Sequence, residues 1–191
     1  MNSSPQTIRI LAISGSLRKI SSNTALLQAA IALVPKNVEM RLYAGLGDLP
    51  HFNPDLEELS EPPSVTDLRT QMRWCDGLII STPEYAHGVP GVLKNALDWL
   101  VSGSEFVGKP IALLNASPRA THAQASLTEI VTVMTGRIVP EASITVPLLG
   151  KKLDATEIAA DLEISSKLQA AIAVFAKTIK DLEYESISKD G

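Results

Sequence analysis

The chain has 191 residues, enough for one medium-sized domain with a sizeable hydrophobic core. Its net charge of −4 and pI of about 5.4 argue against a nucleic acid as the main partner, because nucleic-acid binding needs a basic surface. The single cysteine excludes an internal disulfide framework, and no targeting segment or membrane span is apparent, so we expect a soluble cytoplasmic protein.

Short apolar runs along the chain predict the strands. Residues 8–14, 77–82 and 110–117 are nearly continuous apolar runs, which are typical of parallel strands covered on both faces. Residues 38–44 alternate apolar and polar side chains, which indicates a strand nearer the edge of a sheet. Residues 142–149 predict a fifth strand whose far end lies at an edge, because a proline there cannot donate to a ladder.

Helical patterns lie between and after these runs. They span residues 24–33, 65–74, 92–101, 124–135 and 154–183. The alternating order predicts an α/β fold, a doubly wound open sheet of five parallel strands with helices on both faces. Residues 57–64 are the most linker-like segment, but we interpret them as a surface excursion. Residues 1–191 then form one domain, with flexible tails at about 1–6 and 184–191.

The topology of such a sheet predicts where a ligand binds. The site lies beyond the carboxyl ends of the strands, at the point where the strand order reverses. Three polar loops follow predicted strands, at residues 15–23, 82–90 and 117–123. We therefore expect these three loops to lie together and to form the binding site.

The first loop, GSLRKISSN, is dense in hydrogen-bond donors. It leads into a helix, whose N-terminus attracts phosphate through its free N–H groups and its dipole. The side chains that would donate to a phosphate are those of Ser16, Arg18, Ser21, Ser22 and Asn23. The alternative is an ordinary capped helix, since Ser and Asn are favoured N-caps. The spacings of a Rossmann dinucleotide site and of a P-loop are both absent from this loop.

The second loop, TPEYAHGVPG, has the composition of a platform for a flat heterocycle. Its prolines and glycines shape a rigid backbone edge, and Tyr85 offers an aromatic face. By itself Tyr85 fits equally well as a half-buried loop tyrosine. The three histidines, His51, His87 and His122, are too scattered to form a metal site, and we predict neither a metal nor a catalytic side chain.

Together, GSLRKISSN and TPEYAHGVPGVLKNALDW resemble the NADPH-dependent FMN reductase family, flavodoxin-like enzymes that include quinone, azo-dye and chromate reductases. The resemblance implies that Ser16, Arg18, Ser21 and Asn23 bind the FMN phosphate. It also implies that the second loop lines the isoalloxazine, largely through backbone groups. The predicted flavin-lining residues are Thr82, Pro83, Glu84, Tyr85, Ala86, His87 and Gly88, with Ser117 and Arg119 from the third loop.

Two positions depart from the family pattern. Ala86 stands where the family commonly has asparagine, so a polar contact to the flavin is expected to be missing. The third loop, SPRATHAQ, contains no glycine, whereas the family commonly has a glycine-rich loop there. Arg119 and His122 are then expected to border the ring or the approach of the nicotinamide. Arg18 and Arg119 are the candidates for contact with the 2′-phosphate of NADPH.

The resemblance implies an FMN-dependent NAD(P)H oxidoreductase. Hydride would pass from NADPH or NADH to bound FMN and then to a quinone, a free flavin or a similar acceptor, in a ping-pong cycle. Family members usually form dimers or tetramers, so a homodimer or homotetramer is expected. Two alternatives remain at this stage. One is a flavodoxin-like electron carrier or a flavin-binding regulatory protein, and the other is a family member that binds flavin weakly.

Overall fold

Six parallel strands and seven α-helices lie within residues 7–187, the part of the chain that this computed structural model describes. The strands are β1 (Ile8–Ser14), β2 (Val38–Leu42), β3 (Gly77–Ser81), β4 (Pro110–Asn115), β5 (Arg137–Ile138) and β6 (Ile144–Thr145). The helices are α1 (Ser22–Ala32), α2 (Pro54–Leu59), α3 (Pro63–Trp74), α4 (Gly91–Asp98), α5 (Thr121–Val133), α6 (Ala155–Ala160) and α7 (Leu162–Ile187).

The strand order is β2-β1-β3-β4-β5, and β6 pairs with the end of β4. Every pair is parallel, which confirms the doubly wound α/β fold. The predicted fifth strand is the main difference, because two strands of two residues each replace it. A 3₁₀ turn at Pro140–Ala142 separates these strands, since a proline there supplies no N–H to a ladder. The sheet therefore ends in a broken edge.

The central strands are largely apolar because both faces of the sheet are covered. In β1, Ile10 and Ala12 belong to the core under α1, α6 and α7. The neighbouring Leu11 and Ile13 belong to the core on the other face, under α3, α4 and α5. Successive side chains of a strand point to opposite faces, so a strand buried on both sides loses the alternation of apolar and polar residues.

The surface excursion predicted at residues 57–64 is partly helical. It contains the end of α2 and the start of α3. Asn53 caps α2 by accepting a hydrogen bond from Asp55 N, and Pro54 fits the first helical position, where no N–H is needed. The signal for this helix therefore lies just before the segment that was interpreted as a surface excursion.

The last helix, α7, extends to Ile187 and so includes the first part of the predicted tail at 184–191. The remainder of that tail, and the predicted tail at 1–6, lie outside the described residues. Within residues 7–187, none of the helices combines the length and the apolar character that crossing a membrane requires.

Candidate functional site

The first and second loops leave the sheet side by side, where the strand order reverses between β1 and β3. Gly15 N donates to Ser81 O at 2.8 Å, which extends the pairing of the two strands by one residue. A Cβ atom at Gly15 would lie 2.2 Å from Thr82 Oγ1. Only glycine allows the two loops to start this close together.

The start of α1 is held by side chains of the strands beneath it. Ser21 caps the helix by accepting from Thr24 N at 3.3 Å, so the capping alternative is correct for this residue. Asn23 is buried, and its Oδ1 accepts from Ser81 Oγ at 2.9 Å. This bond leaves the amide nitrogen of Asn23 as its donor toward a ligand. The same residues thus build the helix start and face the predicted site.

The second loop is a two-residue hairpin. Tyr85 N donates to Gly88 O at 3.1 Å, and Gly88 N donates to Tyr85 O at 3.0 Å. Ala86 and His87, between them, have φ values of 49° and 59°. Positive φ at both central residues is the geometry of a type I′ turn, in which asparagine and glycine are preferred. The asparagine common in the family at position 86 therefore suits the backbone of this turn.

The third loop is tied to the second by two contacts. Glu84 Oε2 accepts from Ala123 N at 2.9 Å, in the first turn of α5, which has no side-chain cap of its own. The rings of His87 and His122 stack with centroids 4.2 Å apart. Glu84 thus replaces a local helix cap and fixes the distance between the two loops. His122 contacts the hairpin and is not among the residues that line the cavity described next, and its predicted place beside the ring or the approach of the nicotinamide stays a prediction.

These loops surround a cavity of about 1050 Å³. Eleven of the fourteen predicted flavin-site residues line it: Ser16, Arg18, Ser21, Ser22, Asn23, Thr82, Pro83, Glu84, Tyr85, Ser117 and Arg119. The other three, Ala86, His87 and Gly88, do not line the cavity and form the outer end of the hairpin. In the described part of the chain, no group of three or more His, Cys, Asp or Glu side chains is placed to hold a metal ion.

The cavity has a fourth wall that was not predicted from the sequence. Residues 149–155 line it after the last strand, and they include Lys151 and Lys152. The wall is fixed at both ends: Leu148 N donates to Ala116 O at 3.0 Å, and Asp154 begins α6 with a capping box. The rule that places ligands beyond the carboxyl ends of the strands applies to the last strand as well, so its loop could have been predicted as part of the site.

Comparisons with known proteins agree with this fold. A family model for NADPH-dependent FMN reductase matches residues 8–148. An NAD(P)H-dependent FMN reductase of Pseudomonas aeruginosa is 47% identical over 112 residues, which are 58% of this chain and 60% of that protein. A quinone reductase of Escherichia coli is 34% identical over 115 residues, 59% of this chain and 61% of that protein. The match therefore spans about three fifths of the length of these curated relatives.

A solved structure extends the likeness to nearly the whole chain. FerB of Paracoccus denitrificans, a flavoenzyme NAD(P)H:(acceptor) oxidoreductase, has a TM-score of 0.74 and 29% identity. The superposition covers 92% of this chain and 98% of that one. With the family model matching most of the chain, the assignment follows. The protein belongs to the NADPH-dependent FMN reductase family.

Proposed function

We propose that this protein is an FMN-dependent oxidoreductase that takes hydride from NADPH or NADH and passes the electrons to a quinone, a free flavin or a similar small acceptor. The observation that carries this proposal is one cavity lined by both a helix start suited to phosphate and a rigid hairpin. Family membership supports it, as do the activities for which the relatives are named.

The first loop fits the phosphate of FMN. The first helical bond of α1 runs from Ala25 N to Ser21 O, so the N–H groups of Ser22 and Asn23 have no acceptor within the helix. Both residues line the cavity, as does the exposed side chain of Arg18. A phosphate monoester carries about −1.5 to −2 charges at pH 7, and these donors match it in sign and in number.

The second loop fits the edge of a flat ring. Tyr85 N is used within the hairpin, whereas Glu84 N donates to no group of the described residues. That N–H is a fixed backbone donor at the start of the hairpin. The side chain of Tyr85 is 50% exposed and lines the cavity beside it. Bound FMN would supply a reversible acceptor of hydride, which side chains do not provide.

The contribution of the chain is then positioning. The Glu84 carboxylate holds the second and third loops together, and the close packing at Gly15 fixes the first loop against the second. Both contacts keep the cavity walls at a fixed separation. We propose that one open side of the cavity admits the nicotinamide and the acceptor in turn, which is a ping-pong cycle.

Anaerobic reduction tests the proposed function. FMN-loaded protein mixed with excess NADPH should lose the visible absorbance of its oxidised flavin and recover it when a quinone is added. Initial rates at several acceptor concentrations should give parallel double-reciprocal lines. Flavin that stays oxidised with both NADPH and NADH would favour the electron carrier or the regulatory binding protein. Intersecting lines would replace the ping-pong cycle with a ternary complex.

A binding comparison tests the placement of the phosphate. Arg18→Ala should weaken the binding of FMN by about tenfold, the equivalent of one charge-assisted hydrogen bond, and leave the affinity for riboflavin nearly unchanged. Lys36→Ala removes one charge from an exposed position outside the cavity and serves as the matched control. Equal losses for FMN and riboflavin would show that Arg18 does not contact the phosphate.

We further propose that residues 1–191 form one domain, that the protein is cytoplasmic, and that it forms a homodimer or homotetramer. The apolar side chains of α4 and of the residue after it offer no surface for an oligomer, because Leu93, Leu97 and Trp99 are all buried within the chain. The support for the oligomer is the family resemblance, since members of the family usually form dimers or tetramers. Sedimentation of the FMN-loaded protein as a monomer at micromolar concentration would contradict it.

A further inference from the structure

Positive charge lines the cavity more heavily than one phosphate requires. Five basic side chains line it: those of Arg18, Lys19, Arg119, Lys151 and Lys152. None of the five forms an ion pair within residues 7–187. The two acidic side chains that line the cavity already accept from helix N-termini, Glu84 from Ala123 N and Asp154 from Glu157 N. The cavity thus has unpaired cations in a protein whose net charge is −4.

Two of these cations lie on a different wall from the helix start that fits the FMN phosphate. Lys151 and Lys152 follow the part of the chain that the family model matches, residues 8–148. Their wall borders the cavity together with Ala25 and Gln28 of α1, which lie beyond the helix start that fits the FMN phosphate. The wall is anchored at both ends, so the two lysines are held beside the cavity. A second anion therefore fits there.

Two exposed apolar side chains also line the cavity. Ile20 of the first loop is 87% exposed, and Leu149 at the start of the fourth wall is 54% exposed. Both line the cavity. Large aliphatic side chains exposed at a cavity suit the faces of a heterocyclic base, since contact removes apolar surface from water. A base beside a phosphate is the chemistry of a nucleotide.

We infer that Lys151 and Lys152 bind the 2′-phosphate of NADPH, with the adenine against Ile20 and Leu149. The inference rests on the proposed function, in which a nicotinamide nucleotide is the donor. It assigns the choice of NADPH over NADH to the fourth wall, because NADH lacks that phosphate. Arg18 is then left to the FMN phosphate. Two point charges on flexible side chains suit a phosphate that binds and leaves in each cycle.

Calorimetric titration of the FMN-loaded protein tests this with two probes. Adenosine 2′,5′-bisphosphate and adenosine 5′-monophosphate differ in the 2′-phosphate alone. The wild-type protein should bind the bisphosphate about tenfold more tightly or better. Lys151→Ala with Lys152→Ala should abolish that preference and leave the affinity for the monophosphate within about twofold. The matched control, Lys36→Ala with Lys177→Ala, removes the same charge from exposed positions outside the cavity and should keep the preference.

A second variant tests the adenine contact separately. Ile20→Ser with Leu149→Ser should weaken the binding of both probes by a similar factor, because each probe carries the same base. If the lysine variant still prefers the bisphosphate, or loses affinity for both probes by the same factor, the 2′-phosphate assignment is wrong.

Anaerobic reduction separates this inference from the proposed function. Suppose that NADPH bleaches the FMN of the wild-type protein, but this protein binds the two probes equally well. The inference is then overturned, and the proposed reductase activity stands. If neither NADPH nor NADH bleaches the FMN of the wild-type protein, the proposed reductase activity is overturned, whatever the two probes show. In that case a lysine-dependent preference for the bisphosphate still supports the anion site itself.

Discussion

The tip of the second loop carries a measurable backbone strain. Ala86 has a φ of 49°, which lies in the left-handed region. This backbone conformation costs an L-residue about 1–2 kcal/mol of conformational free energy. Asparagine tolerates this region better, because its short polar side chain hydrogen-bonds locally. We expect Ala86→Asn to recover roughly half of that cost, about 0.5–1 kcal/mol. For a chain of this length the melting temperature should then rise by about 1–4 °C.

Scanning calorimetry of the protein without ligand measures this shift. The same substitution at Ala125, an exposed position within α5, should lower the melting temperature, since asparagine is the poorer helix former by about 0.5 kcal/mol. Ala86→Val should also lower it, because a β-branched residue is strained at positive φ. If the two asparagine variants shift in the same direction, or if valine at 86 behaves like asparagine, then the turn geometry does not govern stability at this site.

Three further predictions concern the scaffold. Arg69 is buried and makes ion pairs with Glu57, Glu61 and Glu105. Arg69→Met should therefore lower the free energy of unfolding, measured in urea, by about 3 kcal/mol or more. Arg41→Met removes one partner of an exposed ion pair and should lower that free energy by less than about 1 kcal/mol. A similar loss for both would contradict the role of burial. Thr135 closes α5 with φ of 62°, and Thr135→Gly should raise the melting temperature more than Thr135→Ala does. Burial raises the pKa of Cys75 to about 11, so iodoacetamide at pH 8 should label this thiol only after unfolding, as mass spectrometry would show.

The elements that the sequence predicted well are those with a long local pattern. β1, β3 and β4 are runs of five to seven residues, and each run is apolar enough to indicate a buried strand. The first and second loops carry their own signals in donors, prolines and glycines. Local chemistry at the first loop, the ligand rule for doubly wound sheets and the family resemblance together indicated the eleven residues that line one cavity.

The elements that were missed depend on contacts made elsewhere in the chain. β5 and β6 have two residues each, too few to show a period, and they exist because β4 offers them a partner. The φ values of Ala86 and His87 follow from the closure of the hairpin rather than from their side chains. The bond from Ala123 N to Glu84 joins residues 39 positions apart, which no local pattern can indicate.

The distance in sequence between the cavity walls has a consequence for biosynthesis. The walls come from the first loop and from segments as distant as residues 149–155, joined through strands that pair across the sheet. A ribosome releases the first loop long before it releases Lys151 and Lys152. Contacts of high sequence separation form late, because the intervening chain must first be ordered. The nascent chain can therefore close a complete pocket only after about four fifths of it has been made.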